Sequence, residues 1–200
     1  MLEVLGRLKN SNSNGRTVVA FIRVPAGHNG PDKELTAKLA GNGSDYTTLT
    51  THVLNEPDSD AVLSRMKALD LVNRKGSKVK VIFIPSYLNG NDGVINKSYY
   101  DLLTAMDMTL FPSYYEPWGY TPLESLAFGV PTLTTTLAGF GLWVRSHYNE
   151  AHPSITIVPR NDSNYGQVVD SVLTAVLDMS ALSEEDVRQC WEPAVEVSAL

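Results

Sequence analysis

Short, β-branched apolar runs that alternate with helical patterns are the feature that most constrains the fold of this chain. Thr17–Val24 (TVVAFIRV) and Lys78–Ile84 (KVKVIFI) are mostly apolar and are bounded by Gly, Pro or Asn. Strands of a parallel sheet have this composition, because helices cover both faces of the sheet. Three shorter runs of the same kind are Met108–Phe111, Thr132–Thr135 and Ile155–Val158.

The segments between these runs contain the periodic apolar positions of amphipathic helices. Helices are predicted at Leu2–Leu8, Asp58–Asn73, Pro122–Phe128 and Tyr165–Met179. Alternating strands and helices predict an α/β fold with a doubly wound, Rossmann-like sheet, in which ligands bind beyond the carboxyl ends of the strands. The loop Ser86–Lys97 is rich in Gly and Asn, and we predict that it is mobile.

Size and composition limit the classes of function. A chain of 200 residues with 43% hydrophobic content is large enough for one core, so a single domain over residues 1–200 is predicted. The net charge of -6 argues against nucleic acid as a partner. No apolar run reaches the roughly 18 residues that span a membrane, and the start MLEVLGRLKN lacks the apolar core of a signal peptide. A cytoplasmic location is expected, and self-association into a homo-oligomer is left open.

Residues that could bind a ligand or take part in catalysis are concentrated in Phe111–Gly129 (FPSYYEPWGYTPLESLAFG). There a strand ends, a polar aromatic turn follows and a helix begins. Thr121 is a suitable N-cap, Pro122 suits the first helical position, and Glu124 lies where a capping box places its acid. The helix is predicted to stop at Gly129.

Backbone N–H groups of Gly119, Tyr120 and Thr121 are expected to converge at the start of this helix. A helix N-terminus favours phosphate through unpaired donors and the positive end of the helix dipole. Two interpretations of Glu124 stay open, a capping residue or a carboxylate that accepts hydrogen bonds from ribose hydroxyls. Glu116 is either a solvated acid of the turn or a ligand contact at the carboxyl end of the strand.

The segment Phe111–Thr121 resembles the signature of the eukaryotic-type glycogen synthases, glycosyltransferase family three. Members carry nearly the same FPSYYEPWGYTP string and a pair of glutamates separated by seven residues, which Glu116 and Glu124 match. Leu137–Gly141 (LAGFG) resembles the S-G-F-G loop of that family. The resemblance runs from residue 1 to about Pro159 and includes Val18–Phe21, Val79–Phe83 and Tyr99.

This resemblance implies a two-domain GT-B fold of which residues 1–200 are the carboxyl-terminal, nucleotide-sugar-binding half. The implied activity is a retaining transfer of glucose from UDP-glucose to the non-reducing end of an α-1,4-glucan such as glycogen, without a metal or another cofactor. Carried over by position, Glu116 contacts the donor glucose, Glu124 contacts the ribose and Tyr99 stacks on uracil. The N–H groups of residues 119–121 meet the distal phosphate.

The sequence also departs from the family. The catalytic Arg and Lys of the family lie before the position that corresponds to residue 1, and the amino-terminal acceptor domain is absent, so turnover by this chain alone is not expected. Regulated members carry an arginine-rich helix that binds glucose 6-phosphate. The corresponding stretch Gln167–Cys190 holds only Arg188, which argues against this control and favours a bacterial-type member.

Two alternative functions stay open: another retaining GT-B glycosyltransferase that uses ADP-glucose or a sugar-phosphate acceptor, and a non-catalytic nucleotide-sugar-binding or glucan-binding module. ADP-glucose synthases share the paired glutamates but not the string between them, which favours UDP. Asp58-Ser59-Asp60 matches a manganese-binding DxD pattern, but it lies where a helix N-cap belongs, and no metal site is predicted. Gly27–Gly30 and Gly139–Gly141 do not form the GxGxxG of a dehydrogenase.

Overall fold

The computed structural model describes residues 1–11, 16–41, 47–148 and 152–199. The chain divides into two compact units, a first unit Leu2–Tyr99 and a second unit Tyr100–Leu200, with Met1 grouped with the second. The elements of the first unit are α1 (Leu2–Ser11), β1 (Val18–Arg23), β2 (His28–Pro31), α2 (Lys33–Ala40), β3 (His52–Leu54), α3 (Ala61–Ala68) and β4 (Val79–Ile84). Then follow α4 (Tyr99–Leu103), β5 (Thr109–Leu110), α5 (Tyr120–Ala127), β6 (Thr132–Thr135), α6 (Gly139–His147), β7 (Ile155–Val158), α7 (Tyr165–Ala181), α8 (Glu184–Gln189) and α9 (Trp191–Ser198).

The sheet of the first unit is centred on β4. On one side β4 pairs in parallel with β1, in a register that runs from Val18 opposite Val79 to Arg23 opposite Ile84. On the other side Phe83 exchanges backbone hydrogen bonds with Leu49 and Thr51, at 2.7 and 3.0 Å. The side chains of β4 that face the core are buried, as its apolar run predicts.

The expected burial of β1 on both faces is wrong. The strand itself is confirmed, but no residue of β1 is fully buried, and the side chain of Val19 is 48% exposed. The reason is that β1 forms an edge of the described sheet, where only one neighbour shields the strand. Helix α1 packs instead on α3 and β4, through Val4, Leu5 and Leu8.

An antiparallel ribbon of β2 and β3 departs from the all-parallel pattern that the sequence predicts. Its register places His28 opposite Leu54 and Pro31 opposite His52. The His52 ring is buried, with Nδ1 2.8 Å from the Thr51 hydroxyl and Nε2 2.9 Å from the Asp92 carbonyl oxygen. Because a carbonyl oxygen only accepts, His52 Nε2 carries the proton. The ribbon is therefore attached to the loop that follows β4.

The second unit contains a parallel three-stranded sheet in the order β5-β6-β7. All four residues of the central strand β6 are buried. Helix α5 packs against α9, and α7 packs against β7 with one apolar face. The core shared by the helices and the sheet comprises Leu126, Phe140, Val144, Ile155, Ala194 and Val197. The carboxyl ends of the strands lie at Leu110, Thr135 and Val158.

The sequence locates the strands better than the helix ends. Thr132–Thr135 and Ile155–Val158 form strands with the predicted bounds, and the α/β class with parallel sheets is confirmed. The helix predicted over Asp58–Asn73 is shorter, because Asp60 caps α3 and Asp70 takes a left-handed conformation at φ 51° beyond its end. A single nucleotide-sugar-binding domain over residues 1–200 stays a prediction.

Within the described parts of the chain, none of the helices combines the length and the apolar composition needed to cross a bilayer.

Asn73 completes the sheet of the first unit with a side chain. Its Nδ2 donates to the carbonyl oxygens of Val81 and Thr48, at 2.8 and 3.0 Å, and its Oδ1 accepts from the Val81 N–H at 2.9 Å. The amide of Asn73, which is 6% exposed, thus pairs with both polar backbone groups of Val81, as the backbone of a neighbouring strand would.

We predict that Asn73→Ala lowers the free energy of unfolding by about 2–4 kcal/mol, because buried N–H and C=O groups lose their partners. Urea denaturation measures the change. The matched control is Asn29→Ala, an exposed residue of β2, for which a change within about 0.5 kcal/mol is expected. Equal midpoints for the two variants would contradict this role of Asn73.

Candidate functional site

The candidate site is built on the turn of residues 111–119, which connects β5 to α5 at the carboxyl end of the sheet. The Phe111 N–H donates to the Leu133 carbonyl oxygen at 2.8 Å and so continues the strand ladder. Further along, the Glu116 N–H donates to the Leu137 oxygen, and the Glu116 oxygen accepts from the Gly139 N–H, both at 3.1 Å. The backbone of Glu116 is therefore fixed on the loop that follows β6.

Two glycines of the LAGFG segment allow close backbone contacts, Gly139 with the turn and Gly141 with the end of β6. A Cβ atom at Gly139 would overlap the carbonyl oxygen of Pro117, and one at Gly141 would overlap the carbonyl oxygen of Thr135. Next to Gly139, the Phe140 N–H donates to the Trp118 carbonyl oxygen at 2.6 Å. The turn and the LAGFG segment thus pack backbone against backbone. A side chain at Gly139 would separate them, whereas one at Gly141 would overlap the end of β6.

Helix α5 begins earlier than the sequence predicts. It starts at Tyr120 with Gly119 as N-cap, so the assignment of Thr121 as N-cap and Pro122 as the first helical residue is wrong. The physical reason is the left-handed conformation of Gly119, at φ 101° and ψ 73°, which turns the chain into the helix two residues sooner. No described side chain caps this end.

The start of α5 combines unpaired N–H donors with a glycine that lies next to Glu116. The first N–H groups of a helix lack intrahelical partners, which applies here to Tyr120 and Thr121, whereas Pro122 carries no N–H. Gly119 is buried, and a Cβ atom there would lie 3.3 Å from Cγ of Glu116. The side chain of Glu116 therefore starts beside the N-terminus of the helix.

Glu124 has a different partner from the one a capping box would give it. The Tyr100 hydroxyl donates to Glu124 Oε1 at 3.1 Å, and this bond, together with the carboxylate charge, raises the pKa of Tyr100. The Tyr100 ring also stacks on Phe128, with centroids 5.1 Å apart. Since α5 starts at Tyr120, Glu124 lies in the second turn, and its interpretation as a capping residue is wrong.

Tyr99 lies in the first unit, whereas the other predicted site residues lie together in the second. The Arg23 guanidinium covers the Tyr99 ring, with Cζ 4.3 Å from the ring centroid. Burial lowers the pKa of Arg23, and its charge interaction with Tyr99 opposes this shift. The Tyr99 N–H donates to the Leu88 carbonyl oxygen at 3.1 Å, which ties the start of α4 to the loop after β4.

The loop Ser86–Lys97, predicted to be mobile, is held by hydrogen bonds of its own. The Asp92 carboxylate accepts from the backbone N–H groups of Val94, Ile95 and Asn96, at 2.8–3.0 Å. Burial opposes the ionisation of Asp92, but these three bonds leave the pKa of its carboxyl lowered. The loop also lines a cavity of about 510 Å³ in the first unit, together with residues 25–28.

His28 and Arg160 are notable residues to which the sequence assigns no role. His28 lines the cavity of the first unit and lies 4.5 Å, centroid to centroid, from the His52 ring. Arg160 follows β7, is 9% exposed and contacts the turn through Pro112 and Tyr114. The signal for Arg160 was its position directly beyond a predicted strand, where ligands of α/β sheets bind.

The acidic DxD pattern has a structural role at one of its positions. Asp60 is the N-cap of α3, and its Oδ1 accepts from the Leu63 N–H at 2.7 Å, as the sequence predicts. Over the described residues, no group of three or more His, Cys, Asp or Glu side chains is arranged to hold a metal ion. Independence from metals stays a prediction.

A turn held at the carboxyl ends of parallel strands and followed by a helix N-terminus is typical of α/β proteins that bind phosphate groups. The glycogen synthase family model matches residues 35–191, which is most of the chain. The chain therefore belongs to the glycogen synthase family.

Individual relatives agree with this family. The liver glycogen [starch] synthase of Mus musculus is 38% identical over 99 residues, or 50% of this chain and 14% of that protein. Glycogen [starch] synthase isoform 2 of Saccharomyces cerevisiae is 36% identical over 129 residues, or 61% of this chain and 18% of that protein. The chain thus matches less than a fifth of the length of these relatives.

Solved structures resemble the chain more remotely. One is WaaG, described as a glycosyltransferase involved in lipopolysaccharide biosynthesis, with a TM-score of 0.46, 19% identity and coverage of 99% of this chain and 46% of that chain. Another is HepE of Anabaena in complex with UDP, with a TM-score of 0.48, 13% identity and coverage of 98% of this chain and 48% of that chain.

We predict that Gly139→Ala separates the turn from the LAGFG segment and lowers the free energy of unfolding by about 1–3 kcal/mol, the usual effect of overpacking. Thermal and urea unfolding measure the change. In the control Gly166→Ala, the added methyl group meets no atom within 4 Å in helix α7, and no loss of stability is expected. The contact would be refuted by a Gly139→Ala protein as stable as this control.

Proposed function

We propose that residues 1–200 form the nucleotide-sugar-binding, carboxyl-terminal half of a retaining GT-B glycosyltransferase. The reaction is the transfer of glucose from UDP-glucose to the non-reducing end of an α-1,4-glucan such as glycogen. Membership of the glycogen synthase family supports this proposal, since the named relatives are glycogen [starch] synthases.

One observation carries the proposal. Glu116 is fixed by two backbone hydrogen bonds at the carboxyl end of the sheet, and its side chain starts beside Gly119, the N-cap of α5. A carboxylate and an uncapped helix N-terminus are thereby adjacent. This pair suits a ligand that carries sugar hydroxyls next to a diphosphate, because carboxylates accept hydrogen bonds from hydroxyls and helix N-termini bind phosphate.

The diphosphate is the leaving group, so its developing charge must be stabilised. The N–H groups of Tyr120 and Thr121 point out of the helix start, and the helix dipole adds positive potential at the same place. Gly119 has no side chain to keep the phosphate away from the backbone. Donors that are fixed before the reaction stabilise the charge without reorganisation during it.

The two glutamates serve different parts of the donor. Glu116 accepts hydrogen bonds from hydroxyls of the donor glucose, which must be held while the anomeric carbon becomes cationic. Glu124 accepts from ribose hydroxyls, with the Tyr100 hydroxyl bond keeping its carboxylate in place. Tyr99 stacks on the uracil, and aromatic stacking of this kind contributes about 1–3 kcal/mol per base.

The resemblance implies that the site for the glucan acceptor, and the basic side chains that complement the diphosphate, lie outside residues 1–200. Turnover by this chain alone is therefore not expected. We also propose that donor binding needs no metal and that the protein is cytoplasmic; self-association into a homo-oligomer stays open.

We predict that the chain binds UDP several-fold more tightly than ADP, with an affinity in the micromolar-to-millimolar range. Tyr99→Ala should weaken UDP binding, because it removes the ring on which the uracil stacks. Calorimetry measures both affinities, with and without a chelator of divalent metals. The matched control is Tyr165→Ala, which removes an exposed tyrosine of α7.

Equal affinities of the unaltered chain for UDP and ADP would refute the proposed preference for uracil, and an unchanged UDP affinity in Tyr99→Ala would refute the assignment of uracil to Tyr99. Loss of binding on chelation would instead refute the proposal that binding needs no metal. Both comparisons on the unaltered chain can be made at the weak affinities expected, because each compares two titrations of the same protein.

A second prediction separates the glutamates. Glu116→Gln should leave UDP affinity nearly unchanged and weaken UDP-glucose about tenfold, which corresponds to about 1.4 kcal/mol. Glu124→Gln should weaken UDP and UDP-glucose alike, because ribose is common to both. Glu192→Gln, an exposed residue of α9, is the control and should change neither. The opposite pattern for the two variants would show that the assigned roles are wrong.

A further inference from the structure

Arg160 carries a buried positive charge at the carboxyl end of β7. It is 9% exposed, and its backbone is fixed by its N–H, which donates to the Thr136 hydroxyl at 3.0 Å. The same hydroxyl lies 3.4 Å from the Arg160 carbonyl oxygen, and the Thr136 N–H donates to the Val158 oxygen at 3.1 Å. The backbone of Arg160 is thus anchored to the loop that follows β6.

The side chain of Arg160 reaches the turn that carries Glu116. Its Nη1 donates to the Pro112 carbonyl oxygen at 2.5 Å, and its Cζ lies 3.3 Å from the centroid of the Tyr114 ring. Pro112 follows β5 and Arg160 follows β7, so the guanidinium spans the end of the central strand β6. The Thr135 hydroxyl donates to the Ser113 carbonyl oxygen at 2.8 Å. This bond holds Ser113, which lies between the two residues that Arg160 contacts.

Among the described residues, no carboxylate forms an ion pair with Arg160. The salt bridges found among these residues join other side chains. Its charge is instead directed at a carbonyl dipole and an aromatic face, both within one turn. A guanidinium suits this task, because it stays charged, donates in fixed directions and stacks on aromatic rings. An apolar side chain could fill the space but could make neither contact.

We propose that Arg160 is a positioning residue for Glu116, an inference that rests on the proposed function. The turn is fixed at one end by the backbone bonds of Glu116 and at the other by Arg160, which holds Pro112 and Tyr114. Both anchors are needed to direct the Glu116 carboxylate at the donor sugar. Arg160 acts through the turn and does not itself contact the sugar.

The test compares the affinities of the 200-residue chain for UDP-glucose and for UDP. Arg160→Met should lower the ratio of the two affinities several-fold, toward the value of Glu116→Gln, and change UDP affinity less than threefold. Arg160→Lys, which keeps the charge and one donor, should recover part of the ratio. Arg145→Met, an exposed arginine of α6, is the matched control and should leave the ratio unchanged.

A double-mutant cycle sharpens the comparison. If Arg160 acts on the sugar only by positioning Glu116, the double variant should have the same ratio as Glu116→Gln alone, because the effects of residues that are coupled through a shared backbone segment are not additive. Should Arg160→Met fail to fold, Tyr114→Leu replaces it, since this change removes the ring under the guanidinium and should lower the ratio in the same direction.

The possible results are distinct. A ratio unchanged by Arg160→Met, or equal weakening of UDP and UDP-glucose, overturns the positioning role while Glu116→Gln still lowers the ratio. Additive losses in the double variant overturn it as well. If Glu116→Gln itself leaves the ratio unchanged, the proposed sugar contact fails and the positioning role fails with it.

Discussion

The backbone contact between the turn of residues 111–119 and the LAGFG segment is the constraint on which the candidate site depends. It requires glycine at position 139, because a methyl group there would overlap the carbonyl oxygen of Pro117. Through this contact the turn adds one further rung beyond the carboxyl end of β6, at Glu116 and Ala138. The position of the Glu116 backbone thus depends on the absence of a side chain at Gly139.

The same contact determines where α5 begins. With Trp118 bonded to Phe140 and Glu116 bonded to Gly139, the chain must turn sharply between Trp118 and Tyr120. Gly119 makes the turn in a left-handed conformation that other residues adopt at a cost. The helix therefore starts without a side-chain cap, and the free donors of its first turn are left for a ligand. The stability of the turn and the uncapped start of α5, at which we propose that phosphate binds, thus have one cause.

The sequence predicted the elements whose signals are local. Apolar runs with β-branched residues located β6 and β7 to the residue, and the motif located Glu116 in the turn after a strand and Gly119 close to the start of a helix. It missed the start of α5, because Thr121-Pro122 matches a standard cap. The conformation of Gly119 depends instead on the bonds that the neighbouring Glu116 and Trp118 form with Gly139 and Phe140. Local patterns favoured the wrong N-cap, and tertiary contacts decided the right one.

Features that depend on long-range contacts were not predictable in the same way. The hydrogen bond from Asn73 to Thr48 and the one from Arg160 to Pro112 join residues far apart in the sequence, and no periodicity marks either. The exposure of β1 depends on its place at a sheet edge, whereas its composition is that of a buried strand.

The central claim, that the start of α5 binds the diphosphate of a nucleotide sugar, is tested most directly by NMR titration of the isotope-labelled chain with UDP. The account predicts that, within the second unit, the backbone amide signals of Gly119, Tyr120 and Thr121 shift most and saturate together. It is contradicted if UDP saturates the protein while these three signals stay unchanged.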